Sequence, residues 1–292
     1  MVKQIQPSPM PLPKQPREVL ITLLIWASVI CVTAVLLWIG SDIVWHGWGH
    51  LSWKFLTTVP QDAGRAGGIA PILVSTGFIV GVCLAVSIPL GVGSAILLSE
   101  FSPAEGWLGR SLRLSLDILA GVPSIVFGLF GNAFFSKTLG LGFSILSGGL
   151  TLACMVLPIL IRSTQEGLRS VPDDYRRSAA ALGLSRTAIL GQVLLPVAMP
   201  GLVVGLLLGI GRAIAETAAL LFTSGYVDRM PESLLDSGRA LSVHIFDLSM
   251  NVPGGESHAY SSALVLVVLL VLINSSVSWL GERFRLTRIL DV

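Results

Sequence analysis

Six apolar stretches divide the chain, at residues 19–40, 67–99, 114–136, 139–161, 197–226 and 259–281. A bilayer core takes about 20 residues of helix, because every backbone N–H and C=O must be bonded internally there. Four of the stretches carry no charge at all; 114–136 holds only Asp117, and 197–226 only Arg212 and Glu216. The pattern predicts an all-α membrane protein with six transmembrane helices. Residues 1–18, rich in Pro and Gln, read as a disordered tail. Residues 19–40 follow Arg17 as a signal peptide's core would, but 22 residues exceed the roughly 7–15 of such cores. No small-residue cleavage site follows, so the stretch reads as a membrane helix. It and its outer connection fill 19–66, a five-helix core occupies 67–283, and a short tail runs over 284–292.

Composition agrees. The 292 residues are 53% hydrophobic and 12% charged, with mean hydropathy +0.80. A water-soluble domain carries roughly 25% charged residues, so membrane lipid must cover much of this chain. With the N-terminus inside, most Lys and Arg fall in cytoplasmic connections, Arg110, Arg113, Arg162, Arg169, Arg176, Arg177, Arg186 and Arg283 among them. Lys54, Arg65, Lys137, Arg229 and Arg239 fall outside. That bias places both termini in the cytoplasm. Trp45, Trp48 and Trp53 follow the first span as an outer aromatic belt. Cys31, Cys83 and Cys154 lie inside apolar runs and read as small buried hydrophobes.

Several chemistries find no support. The nearest approach to a phosphate loop, residues 131–138, lacks the second Gly, so any ATP hydrolysis belongs to a partner. His46 and His50 stand four apart without the carboxylate of a zinc motif, and no metal site is expected. Asp117 and Glu216 are the only acids inside the spans, which leaves a membrane hydrolase without a catalytic constellation. Nothing points to nucleic acid.

Two connections are long, at 165–196 and 225–258. In the first, Pro172 and the acids Asp173 and Asp174 suit a helix N-terminus. Tyr175, Arg177, Ser178, Ala179 and Ala180 continue that helix, Gly183 supplies a left-handed stop, and Ser185 caps a second helix that enters the next span at Pro196. The product is a helical elbow. Its small residues, Ala179, Ala180 and Gly183, are expected to be exposed, so that another protein can approach the backbone.

Arg212 and Glu216 stand four apart, which puts them on one helix face, with Arg212 about midway along 197–226. A charge at the bilayer centre costs about 2.5–3.5 kcal/mol. Two readings are open: a buried ion pair that fixes packing, or an anion site or gate on a transport path, with Thr217 beside it. Small residues around the pair, Gly209, Gly211, Ala213 and Ala215, let neighbouring helices come close. Gly121 and Pro123 interrupt the third span, either as a kink or as a break whose second half opens at Ser124 and offers N–H groups to an anion.

These segments resemble a known family. Permease subunits of ABC importers carry a loop of the form Glu-Ala-Ala, three residues, Gly, nine residues, an aliphatic, one residue, Leu-Pro. Here the string is Arg177-Ser178-Ala179, three residues, Gly183, nine residues, Val193, Leu194, Leu195-Pro196, with Arg177 in place of the Glu. Residues 119–129 and 211–217 resemble the third-helix and charged fifth-helix motifs of phosphate permeases. Residues 242–246 with Ala259-Tyr260 are closer to the PstA type than to its PstC partner. The resemblance implies a type I ABC importer permease of MetI-like architecture in the bacterial inner membrane. It implies a PstC-like permease partner, two PstB-like ATPases holding ATP and Mg, a PstS-like phosphate-binding protein, and alternating access driven through the elbow as coupling helix. Arg212 would offset phosphate charge and Glu216 would orient it. Sulfate or molybdate permeases share the architecture, and an ion-coupled carrier using Arg212 and Glu216 as a proton relay is a rival.

Overall fold

The computed structural model describes residues 16–101 and 106–290. The tail at 1–15 lies outside them. The chain divides into two units after Trp45. The first is most of helix α1, Pro16–Gly47, whose apolar side chains are exposed along its length. It begins three residues before the stretch expected from hydropathy.

In the second unit a short helix α2, Trp53–Thr57, capped by the Ser52 hydroxyl accepting from Phe55 N–H, leads to a hairpin of β1, Pro60–Gln61, and β2, Ala66–Gly67. Helix α3, Ala70–Ile96, follows and ends in a π-helical turn, Leu97–Phe101. Helices α4, Trp107–Gly121, and α5, Ser124–Gly131, come next, α5 continuing as a π-helical stretch to Thr138. Then come α6, Ile145–Arg169; α7, Asp173–Ala181; and a run from Arg186 to Ala215 made of α8, Arg186–Ala188, a π-helical stretch, and α9, Leu195–Ala215. Beyond it lie α10, Ala218–Leu221; α11, Leu241–Met250; and α12, Glu256–Leu290.

Five of these helices are long and apolar enough to cross a membrane, and the bent pair α4–α5 makes a sixth crossing if counted as one span. The third span is therefore not a straight rod. Its halves meet at 102°. Pro123 has no N–H to give to a helix, and both Val122 and Pro123 take extended backbone, ψ 131° and 144°. The fifth span also stops short, at Ala215 rather than Tyr226.

Helix α6 is the centre. Its Leu152, Ala153, Met155 and Val156 meet Ile79 and Cys83 of α3, Phe127 of α5 and Ala213 of α9 in the largest buried cluster. Contact with α9 runs along Gly201, Gly205 and Gly209, one helical turn apart. A Cβ on Gly201 would stand 2.6 Å from the Gly167 Cα, and one on Gly209 would stand 2.7 Å from Val156. Lipid gives helices no hydrophobic reason to associate, so close backbone packing of this kind must supply the cohesion. The start of α6 is equally well held. Ser144 Oγ accepts from Ser147 N–H, and the carbonyls of Asp236 and Leu234 accept from Ile145 and Leu146. The long connection before α11 thus satisfies N–H groups that a helix end leaves orphaned. That connection is shaped in turn by the Asp236 carboxylate, which accepts from the N–H groups of Glu232 and Ser233; these bonds hold its pKa below the ordinary value.

Candidate functional site: the break beyond Arg212 and the elbow before α9

Arg212 lies in the last turn of α9, not midway along a span. The negative end of the helix dipole favours a cation there, by about 0.3–1 kcal/mol. Its Nε is buried and has no hydrogen-bond partner among the described residues. Leaving such a donor unmet costs about 1–3 kcal/mol.

Glu216 does not share the helix face of Arg212, and no ion pair joins the two among the described residues. The helix has already ended: Glu216 is its C-cap, with ψ 126°. Its Oε1 accepts from Ala219 N–H at 3.2 Å, which caps α10, and its backbone oxygen accepts from Ser242 Oγ of α11 at 2.6 Å. The four-residue spacing misled because the helical period was assumed to continue through residues 213–217. Thr217 precedes α10 without a side-chain cap bond.

The two breaks belong to one packed region. Helix α5, which Ser124 opens after Gly121 and Pro123, lies against α10: a Cβ on Gly128 would stand 2.9 Å from the Ala219 Cα. Asn132 Nδ2 donates to the Phe222 carbonyl at 2.6 Å, and Val122 packs on the cluster that contains Ala213. No hydrogen bond among the described residues joins Ser124 to Arg212, Glu216 or Thr217. Asp117 is not a free core acid either, since it pairs with Arg162 of α6.

Behind Ser242 stands a cluster that the sequence did not reveal. Arg239 pairs with Asp247 at 3.2 Å, and its Nη1 lies 3.5 Å from Nδ1 of the buried His244. Burial and then the Arg239 guanidinium push the His244 imidazole down to about 4, against the opposing pull of Asp247, so it is neutral at ordinary pH.

The elbow has the expected shape. Gly183 takes φ +79°, Leu184 N–H donates to the Ala179 carbonyl, and Ser185 Oγ accepts from Ala188 N–H. Pro196 sits just after the π-helical stretch Ile189–Leu194, where the widened backbone accommodates a residue without an N–H. One expectation fails. Ala179 is only 5% exposed, facing inward, while Tyr175, Arg177, Ser178, Ala180 and Gly183 face out. The most prominent apolar side chain at the tip is Leu182, 81% exposed, which the search for small residues passed over.

What fixes the elbow to the helices is Arg176. It makes a two-pronged contact with Glu100 at the end of α3, Nη2 to Oε1 at 2.8 Å and Nε to Oε2 at 3.4 Å. It also donates to the carbonyls of Leu168 and Val171 at the end of α6, at 3.1 and 2.9 Å. These bonds to Glu100 raise its pKa further. Beneath it Leu168, Val171, Leu194 and Ala198 form a small core. Glu100 is the first charge after 34 uncharged residues, and that position was the available signal.

Comparison with known proteins gives the family and the fold. The family of binding-protein-dependent transport system inner membrane components matches residues 87–286. The probable ABC transporter permease protein YqgI of Bacillus subtilis is 32% identical over 265 residues, 86% of this chain and 90% of that protein. The phosphate transport system permease protein PstA 2 of Mycobacterium bovis is 34% identical over 278 residues, 91% of each. A chain of the inward-facing MetNI methionine ABC transporter superposes with TM-score 0.58 at 18% identity, covering 74% of this chain and 94% of that one, and so shares the fold.

Proposed function

The chain belongs to the family of binding-protein-dependent transport system inner membrane components, and we propose that it is the PstA-type permease subunit of an ATP-driven importer of inorganic phosphate. The observation that carries this reading is the guanidinium of Arg212, buried at Nε without a partner where two helix breaks are packed together. Phosphate near neutral pH carries one to two negative charges, and moving an anion toward a negative interior costs about 2.3 kcal/mol per charge per 100 mV. Passive flow would run outward, so uptake needs an energy source. Family membership supports ATPase subunits as that source.

Glu216 is engaged with Ala219 and Ser242, which leaves Arg212 uncommitted toward an oxyanion whose oxygens match its planar fork. Ser124 and Thr217, at the starts of α5 and α10, line the route beside it. With both termini cytoplasmic, α7 meets the ATPase subunits, a PstC-like subunit completes the pathway, and a PstS-like protein delivers phosphate from outside. ATP and Mg belong to the ATPase partners. When those partners close, the elbow moves, and Arg176 passes the motion to α3 and α6.

The test is uptake of labelled phosphate by the complex reconstituted in vesicles with ATP inside. Uptake that needs ATP and the binding protein, and that excess sulfate or molybdate does not displace, is the expected result. Uptake by this chain alone driven by a pH gradient would overturn the reading, and displacement by sulfate or molybdate would reassign the substrate.

A further inference from the structure

A cavity of about 190 Å³ lies between α4 and α6, one turn before the elbow. Its chemistry plays no part in the pathway at Arg212. Arg113, Arg162 and Arg169 line it together with Asp117, Glu166 and Gln165. Arg162 is neutralised by Asp117. The balance left is two guanidinium groups against the single carboxylate of Glu166.

Two donors there are unmet. Gln165 is only 6% exposed, and its Nε2 has no partner among the described residues; the buried Nε of Arg113 has none either. A pocket with spare cationic donors and a buried amide N–H calls for a small ligand made of acceptors. Beside the cavity, α4 presents Leu114 and Ile118, both exposed, and Trp107 stands exposed at its start. Basic pockets between membrane helices near their cytoplasmic ends suit lipid headgroups.

We propose that this cavity binds one phosphate group, held by Arg113, Arg169 and Gln165. The group ties α4 to α6 beside the elbow. The same chemistry comes from two sources, the headgroup of an anionic phospholipid or free inorganic phosphate, and the test separates them.

The protein is purified from its membrane with its co-purifying subunits. It is then placed in nanodiscs of phosphatidylcholine, with phosphatidylglycerol or inorganic phosphate added in separate arms. Thermal unfolding is followed in each. Wild type should be stabilised by one of the two additions, and that arm names the source. The double variant Arg113→Gln/Arg169→Gln should lose the response. Gln165→Leu keeps every charge and serves if the double variant fails to assemble; its half-saturating concentration should rise about tenfold. Phosphate bound at Arg212 would act equally on wild type and variants, so it is not mistaken for this site, and failure here leaves the transport reading intact. If neither addition distinguishes wild type from Gln165→Leu, or if wild type responds to neither, the proposal is wrong.

Discussion

The elbow between α6 and α9 closes on itself, whereas the break beyond α9 is tied by distant segments. In the elbow, Gly183, Leu184 and Ser185 make the stop and the restart with partners no more than five residues away. At the break, Glu216 leans on Ser242, α10 leans on Gly128, and Phe222 accepts from Asn132, ninety residues earlier. A locally closed element moves as a unit. One that depends on distant segments changes when any of them moves. That is the division of labour the proposed lever and gate require.

The largest effect should come from the gate. Arg212→Gln should lower ATP-dependent phosphate uptake at least a hundredfold, about 2.7 kcal/mol in transition-state terms. The complex should still assemble, because the Arg212 side chain makes no hydrogen bond among the described residues that the fold would miss. Loss of assembly would show instead that the residue holds the helices together. Second is the anchor of the lever. Arg176→Met leaves Glu100 partly buried and unpaired and removes donors to Leu168 and Val171. A fully buried pair broken this way costs about 3–5 kcal/mol; partial exposure brings this one to about 2–3 kcal/mol. The sharper readout is coupling: ATP hydrolysis should continue while uptake per ATP falls several-fold. Equal loss of both activities would make Arg176 purely structural.

The same contrast explains what was legible in the sequence. Capping and turn chemistry act over a few residues, so Asp173, Gly183 and Ser185 could be read directly, as could the charge-free lengths of the long spans. The break at Pro123 was visible, but its 102° angle was not, because the angle depends on what α5 packs against. Glu216 was misplaced for a related reason. A four-residue spacing implies a shared face only while the helix continues, and the carbonyl just past the stop at Ala215 is held by Ser242, 26 residues away in sequence. Arg176 was counted only as a positive charge. Its partner lies 76 residues earlier, and no period links them.

A third test sets the inner face of the elbow against its outer face. Ala179→Leu must overfill the packing around a residue that is 5% exposed, at a cost of about 1–3 kcal/mol. Ala180→Leu, on the exposed side, should leave thermal stability of the isolated subunit within about 0.5 kcal/mol. It should instead weaken co-purification of the ATPase. If both variants lose the ATPase with stability unchanged, the inner face is also a docking surface.

The smallest effect belongs to the turn itself. At Gly183 a Cβ would meet nothing within 4 Å, so the space is open and only the backbone resists. With φ at +79°, an L-residue other than Asn pays the left-handed penalty. Gly183→Ala should therefore cost about 1 kcal/mol in the thermal unfolding of the complex. Gly183→Asn, with a side chain that tolerates this region, should recover most of it despite being larger. That order, Gly above Asn above Ala, separates conformational strain from crowding, since crowding would rank the larger Asn last. Should Asn prove the worst of the three, Gly183 is needed for the close approach of a partner, and the elbow would then depend on an outside surface just as the break beyond Arg212 does.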